Sequence, residues 1–336
     1  MQAAVIETPG QPPRLTDREP PQAESGQVPL AVSAAPITPL DVLCGSGTSY
    51  FGVPATPYVP GVQGVGVAQP GHPSIAAGTL VWFASTAGMQ PGDGSMRAVV
   101  NVDERDAVPL PAGADPVLAG ALGLSAVAAW LGLTWRGELA PGEQVLVLGA
   151  GGVVGQSAVQ LARAAGARRV IAAARSESAR ARALRAGPDA LVVLHDAANA
   201  DDMADAIQAQ CDGPLDLVLD PLFGVAAVAA MRVLRPHGRL VNLGSSAGAT
   251  APMESATIRS SSLRVLGYTN NELSPQLRNE ALTHVVTEAA AGRLTVDHER
   301  APLADVTAAW LRHVEGRADG RIVLMPQPAL LDGQEA

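Results

Sequence analysis

VLVLGAGGVVGQSAVQLARAAGA, residues 145–167, decides the fold. An apolar run, VLVL (145–148), enters a turn of small residues from Gly149 to Gly155, and a helix-like segment follows. A strand-to-helix turn this tight needs residues without a Cβ. Gly151 and Gly152 let the backbone approach a pyrophosphate. Gly155 allows close packing of helix and strand. The N–H groups that open the helix, at Val153 and Val154, hold the anion. The spacing is Gly149-x-x-Gly152-x-x-Gly155, not strict G-x-G-x-x-G. The competing reading is a helix entry packed with small residues and no ligand. The strand before and the helix after favour a dinucleotide turn.

Beyond this turn, strand-like and helix-like runs alternate. RVIAAA (169–174), ALVVL (190–194), LDLVLD (215–220), GRLVNLG (238–244) and SLRVLGY (262–268) read as strands. Helical stretches are expected near 177–185, 200–210 and 225–234. Apolar strands alternating with helices predict an α/β unit with a doubly wound parallel sheet covered on both faces. Before it, AAVIE (3–7), VPLAVSAA (28–35), GVGVA (64–68), TLVWFA (79–84) and RAVVNV (97–102) read as an irregular all-β unit, with long loops at 8–29 and 43–60. After it come two amphipathic helices, 275–291 and 303–314, and a last strand, RIVLM (321–325).

The end of the second strand speaks to which dinucleotide binds. An NAD site places an acid there for the ribose 2′-hydroxyl. Here Ala174 is followed by Arg175 and Ser176, a guanidinium and a hydroxyl suited to a 2′-phosphate, so NADP(H) is expected. Ser176 also reads as the N-cap of the next helix, and Arg180 is a weaker second phosphate partner.

Composition narrows the chemistry. The 336 residues carry a net charge of −9 and contain no lysine; all 23 cationic side chains are arginine. That excludes a Schiff-base lysine, a P-loop and a Tyr-x-x-x-Lys pair. The acidic balance argues against a nucleic-acid partner. Two cysteines, Cys44 and Cys211, provide neither a disulfide framework nor a four-cysteine zinc lobe. The six histidines show no ligand-like spacing and read as surface or loop residues. The start, MQAAVIETPG, lacks the basic and apolar regions of a signal peptide, so a cytoplasmic location is expected. Pro116–Trp135 is about as long as a membrane span but rich in Ala and Gly, and is expected as a helix buried between domains.

PYVPGVQGVG (57–66), GLSAVAAWLGL (123–133), the glycine turn, DLVLDPLFG (216–224), GRLVNLGSSAG (238–248), LGYTN (266–270) and DGRIVLMP (319–326) together resemble the medium-chain dehydrogenase/reductase superfamily, in its zinc-free quinone oxidoreductase (zeta-crystallin-like) branch. The resemblance implies a GroES-like β-rich catalytic domain from residues 1–118 and 271–336 and a Rossmann domain at 119–270. It also implies an interdomain cleft for the nicotinamide and a homodimer. Where zinc-dependent members carry Gly-His-Glu, this chain has Gly61-Val62-Gln63, and valine cannot ligate a metal. Cys44 lies near a first-ligand position but reads as a packed thiol, so no metal is expected.

By the same resemblance, NADPH reduces a quinone or an α,β-unsaturated carbonyl, and a hydrogen-bond donor must steady the resulting oxyanion. Tyr50 matches a loop tyrosine of related enone reductases and is a candidate donor, with loop packing as its alternative role; Tyr58 reads as packing. In Thr38-Pro39-Leu40-Asp41, Asp41 is retained and Thr38 replaces an asparagine, so Asp41 is a candidate catalytic residue. Ser125, Leu243, Gly244, Ser245, Ser246 and Arg321 match cofactor-contact positions. The alternatives are an enoyl-thioester reductase of a biosynthetic pathway and a non-catalytic NADPH-binding protein, crystallin-like or a sensor.

Overall fold

The structure is a computed structural model and describes residues 1–195 and 199–326. The chain divides into two compact units. Unit 1 comprises Met1–Gly123, Leu282–Ala290 and the chain from Asp297 on; unit 2 comprises Leu124–Ala281 and Ala291–Val296.

The first part of unit 1 has β1 (Gln2–Val5), β2 (Arg14–Asp17), β3 (Gln27–Pro36), α1 (Pro39–Ser46), β4 (Gln63–Ala68), β5 (Leu80–Ala84), β6 (Val99–Asp103) and β7 (Ala107–Pro109). β1 and β2 form an antiparallel ribbon. Over most of its length β3 alternates half-buried and buried residues, as a strand with one face on a core does. The expectation of an all-β unit is corrected by α1. Thr38-Pro39-Leu40-Asp41 is a capping box with proline in the first turn, and these residues start a helix where only a loop was expected. α2 (Pro116–Leu131) is interrupted at Gly123, whose φ of 34° and ψ of −133° are not helical.

Unit 2 has β8 (Gln144–Val147), α3 (Val153–Ala164), β9 (Arg169–Ala174), α4 (Glu177–Arg185), β10 (Ala190–Val193), α5 (Ala200–Gln208), β11 (Leu215–Asp220), α6 (Gly224–Val233), β12 (Leu234–Asn242), α7 (Ser255–Ser260) and β13 (Arg264–Gly267). All neighbours in its sheet pair in parallel, in the order β10–β9–β8–β11–β12–β13. This is the Rossmann order, which reverses direction between β8 and β11. β8 and β11 are buried at every position, as strands covered on both faces must be. Leu146, Leu148, Ile171, Val218 and Leu240 anchor this core; each fully buried aliphatic side chain contributes about 1.5–3 kcal/mol.

α8 (Pro275–Ala290), β14 (His298–Pro302), α9 (Val306–Val314) and β15 (Arg321–Met325) follow. β14 and β15 join unit 1, whose mixed sheet runs β14–β15–β3–β4–β5–β7, with β6 also paired to β3. Val28, Leu30, Ile37, Phe83 and Trp310 form its core. The molecule is thus α/β, a mixed sheet in one unit and a Rossmann-type parallel sheet in the other.

Candidate functional site

In unit 2 the glycine turn leaves β8 and starts α3. Gly149 has φ of 62°, in the left-handed region that favours glycine. A Cβ on Gly155 would lie 2.4 Å from the Gly149 carbonyl oxygen and 2.5 Å from Ala150 Cα, so this glycine lets the helix seat against its own turn. Gly151 is crowded from another side: a Cβ there would lie 2.5 Å from the Ala179 carbonyl oxygen of α4. Its first service is close packing of α4, where ligand approach alone was expected. Gly152 is the N-cap of α3, without a side-chain capping bond, and a Cβ on it would meet only the Gly149 oxygen at 3.6 Å. The first-turn N–H groups of Val153, Val154 and Gly155 precede the first residue able to find an acceptor four positions back within the helix. They suit an anion.

Beside this turn lies a groove of ≈ 460 Å³, at the carboxyl ends of the strands. Gly149, Gly151 and Gly152 form one wall, and Arg175, Ser176 and Arg182 another; Leu194, Met203, Leu222 and Ala226 supply apolar surface, and Ser246 stands on the rim. Ser176 caps α4, accepting from the Ala179 N–H at 3.2 Å. Arg182, which sequence reasoning passed over, lines the groove; Arg180, named in its place, does not. The missed signal is helical spacing: Arg182 lies three residues on from Ala179, which also lines the groove, and so shares its face of α4, while Arg180 points to nearly the opposite side from Arg182. His195 also lines the groove. Of Leu243, Gly244, Ser245 and Ser246, Ser246 reaches it, and its hydroxyl donates to the Pro221 carbonyl at 3.1 Å. Ser125 is half-buried in unit 2 and is not among the groove's lining residues.

The loop after β11 is shaped by Asp220, which is fully buried. Its carboxylate accepts from the Leu222 and Phe223 N–H groups at 2.9 and 2.8 Å and from the Asn242 amide at 3.0 Å. Burial pushes its carboxyl above the usual range against those donors. Asp220 thereby fixes Leu222, a wall of the groove.

In unit 1, Asp41 is 2% exposed and its contacts are internal. It accepts from the Thr38 N–H (2.8 Å), the Thr38 hydroxyl (2.6 Å) and the Val62 N–H (2.8 Å). Burial raises its carboxyl, while these donors and the charge of Arg321 oppose that rise. Through these bonds Asp41 caps α1 and ties it to the Val62 segment. Arg321, a cofactor-contact position by resemblance, lies in unit 1 on β15. It is 4% exposed, it donates to the Ile37 carbonyl at 2.8 Å, and burial brings its guanidinium down to about 10. Tyr50 is 76% exposed and its ring lies 4.2 Å from that of Phe51, whereas Tyr58 is buried. Cys44 is a buried free thiol, pushed up to about 11 by burial and by the charge of Asp41.

Relatives agree with this architecture. The family described as zinc-binding dehydrogenase matches residues 153–286. A probable oxidoreductase from Mycobacterium abscessus is 27% identical, with a TM-score of 0.80 over 97% of this chain and 99% of that one. Escherichia coli quinone oxidoreductase, complexed with NADPH, superposes with a TM-score of 0.82 at 23% identity over 97% of this chain and 100% of that one. These likenesses support the medium-chain dehydrogenase/reductase superfamily. A phenolphthiocerol/phthiocerol polyketide synthase of Mycobacterium tuberculosis is 33% identical over 227 residues, which is 66% of this chain and 10% of that one. The chain therefore spans about a tenth of the length of the first curated relatives it matches.

The description of the matched family raises the question of zinc, and the donor set does not fit it. Among the described residues no three His, Cys, Asp or Glu side chains are grouped to hold a metal ion. Val62 is buried and has no ligating atom, and Cys44 is not part of any such group. Pro116–Arg136 is apolar and long enough to cross a membrane, but most of its apolar window is buried within the protein, as in a core helix.

Proposed function

We propose that this chain is an NADP(H)-dependent, zinc-free reductase of quinones or α,β-unsaturated carbonyl compounds. The observation that carries the reading is the groove at the strand ends, where Arg175, Ser176 and Arg182 stand together and no carboxylate is found among the described lining residues. In this reading the first-turn N–H groups of α3 hold the pyrophosphate, and Leu194, Met203 and Leu222 pack against the base. Arg175 and the Ser176 hydroxyl take the 2′-phosphate. The reduced nicotinamide supplies the hydride. Tyr50, exposed on its loop, donates a hydrogen bond to the substrate's carbonyl oxygen. The match to polyketide synthase chains supports a second reading, reduction of an enoyl thioester in a biosynthetic pathway.

A panel of quinones, enones and enoyl-CoA esters, followed by NADPH absorbance, separates the two. Arg175→Ala is expected to weaken NADPH binding by about 1–3 kcal/mol and leave NADH unchanged. An unaltered NADPH-to-NADH preference in that variant overturns the 2′-phosphate assignment.

A further inference from the structure

The Gly151 carbonyl accepts two side-chain donors from two different helices. Gln156 Nε2 of α3 donates at 3.0 Å, and Arg182 Nε of α4 donates at 3.0 Å. A carbonyl oxygen has two lone pairs, so this acceptor is filled, and one of its bonds is charge-assisted. The same glycine carries the close contact with Ala179 described above. α4 is therefore fastened to the turn at two points, by packing and by the guanidinium.

The fastening spans the two ends of the groove. On one side of the 151–152 peptide lie the first-turn N–H groups of α3. On the other, Arg175 and Ser176 lead into α4. Rotation of that peptide costs both bonds to Gly151, and a shift of α4 costs the Arg182 bond.

We infer that Arg182 is a positioning residue for the dinucleotide: acting through Gly151, it sets the turn for the part of the ligand that NADPH and NADH share. The inference rests on unit 2 being a dinucleotide site, and it does not need the preference for NADP(H). It divides labour between two neighbouring arginines, with Arg175 on the extra phosphate and Arg182 on the shape of the turn.

The test is titration of the full chain with NADPH, NADH and ADP-ribose, using the wild type, Arg175→Ala, Arg182→Ala, Arg182→Lys and Arg182→Gln, with melting curves for each. Arg182→Ala is expected to weaken all three ligands by one common factor, roughly 3–20-fold. In turnover, its KM for the nucleotide rises and kcat holds within about twofold. Arg182→Lys and Arg182→Gln keep an N–H donor and fall between wild type and Ala; they carry the test if the alanine variant melts early. Arg175→Ala affects NADPH alone. Loss of NADPH binding with NADH and ADP-ribose untouched makes Arg182 a direct phosphate ligand and overturns the inference, as does no change for any ligand. A wild type that prefers NADH defeats the NADP(H) reading but leaves this inference supported if Arg182→Ala weakens NADH and ADP-ribose equally. A wild type that binds none of the three defeats both.

Discussion

Thr38 and Asp41 show how one residue pattern serves two readings. By likeness to a family segment they belong to a catalytic site; by their side chains they are a capping box, and their hydrogen bonds are those of a helix start. In this structure the carboxylate is 2% exposed, and the capping bonds and the Val62 N–H take up its oxygens. Tyr50 has the opposite character. At 76% exposure on a loop it contributes little to packing, so a change there tests chemistry with little confusion from stability. Tyr50→Phe is expected to lower kcat about 10–1000-fold if its hydroxyl steadies the developing oxyanion. Steady-state rates on a panel substrate check this, and an unchanged kcat removes Tyr50 from the mechanism.

At the scale of elements, α2 is the instructive case. Its composition reads as one long apolar helix, yet Gly123 breaks it. The break is filled by the carboxamide of Gln63, a fully buried side chain that donates to the Gly120 carbonyl at 3.1 Å. A Cβ on Gly123 would lie 2.2 Å from Gln63 Oε1. Gly123→Ala therefore meets both a clash and a backbone conformation that alanine resists, and is expected to cost about 2–4 kcal/mol in unfolding experiments. Gln63→Ala combined with it should relieve the clash and recover only part of that loss. The parallel strands of unit 2 were legible because each is an apolar run in a series that alternates with helical stretches. β2, β7 and β14, at three to five residues and with mixed burial, carry no such pattern and form only because a neighbouring strand offers a ladder.

At the scale of the whole molecule, the absence of lysine makes arginine serve every cationic role, and position sorts those roles. Arg168, Arg235 and Arg239 pair with Asp212, Asp216 and Glu143, away from the groove, while Arg175 and Arg182 stand at the strand ends that line it. Burial also makes stability depend on pH. His313, read from the sequence as a surface or loop residue, is half-buried, and burial together with the Arg321 charge brings its imidazole from 6.5 down to about 4. Between those values the unfolded chain takes up a proton that the folded chain refuses. Its contribution is complete above 6.5 and is lost as pH falls toward about 4. A loss on the order of 1–3 kcal/mol is expected across that window, and it should shrink in His313→Gln. Denaturant unfolding at about pH 7.5 and about pH 5 measures both. Local pattern by itself determined the alternating strands and helices, the glycine turn and the arginine after the second strand, because each is encoded in contiguous residues. Only the tertiary structure decided that Arg182 rather than Arg180 lines the groove, and that Asp41 and Arg321 are buried in unit 1. The physical reason is that helix facing, desolvation and the filling of a carbonyl's second lone pair depend on residues distant in sequence, which only the folded chain brings together.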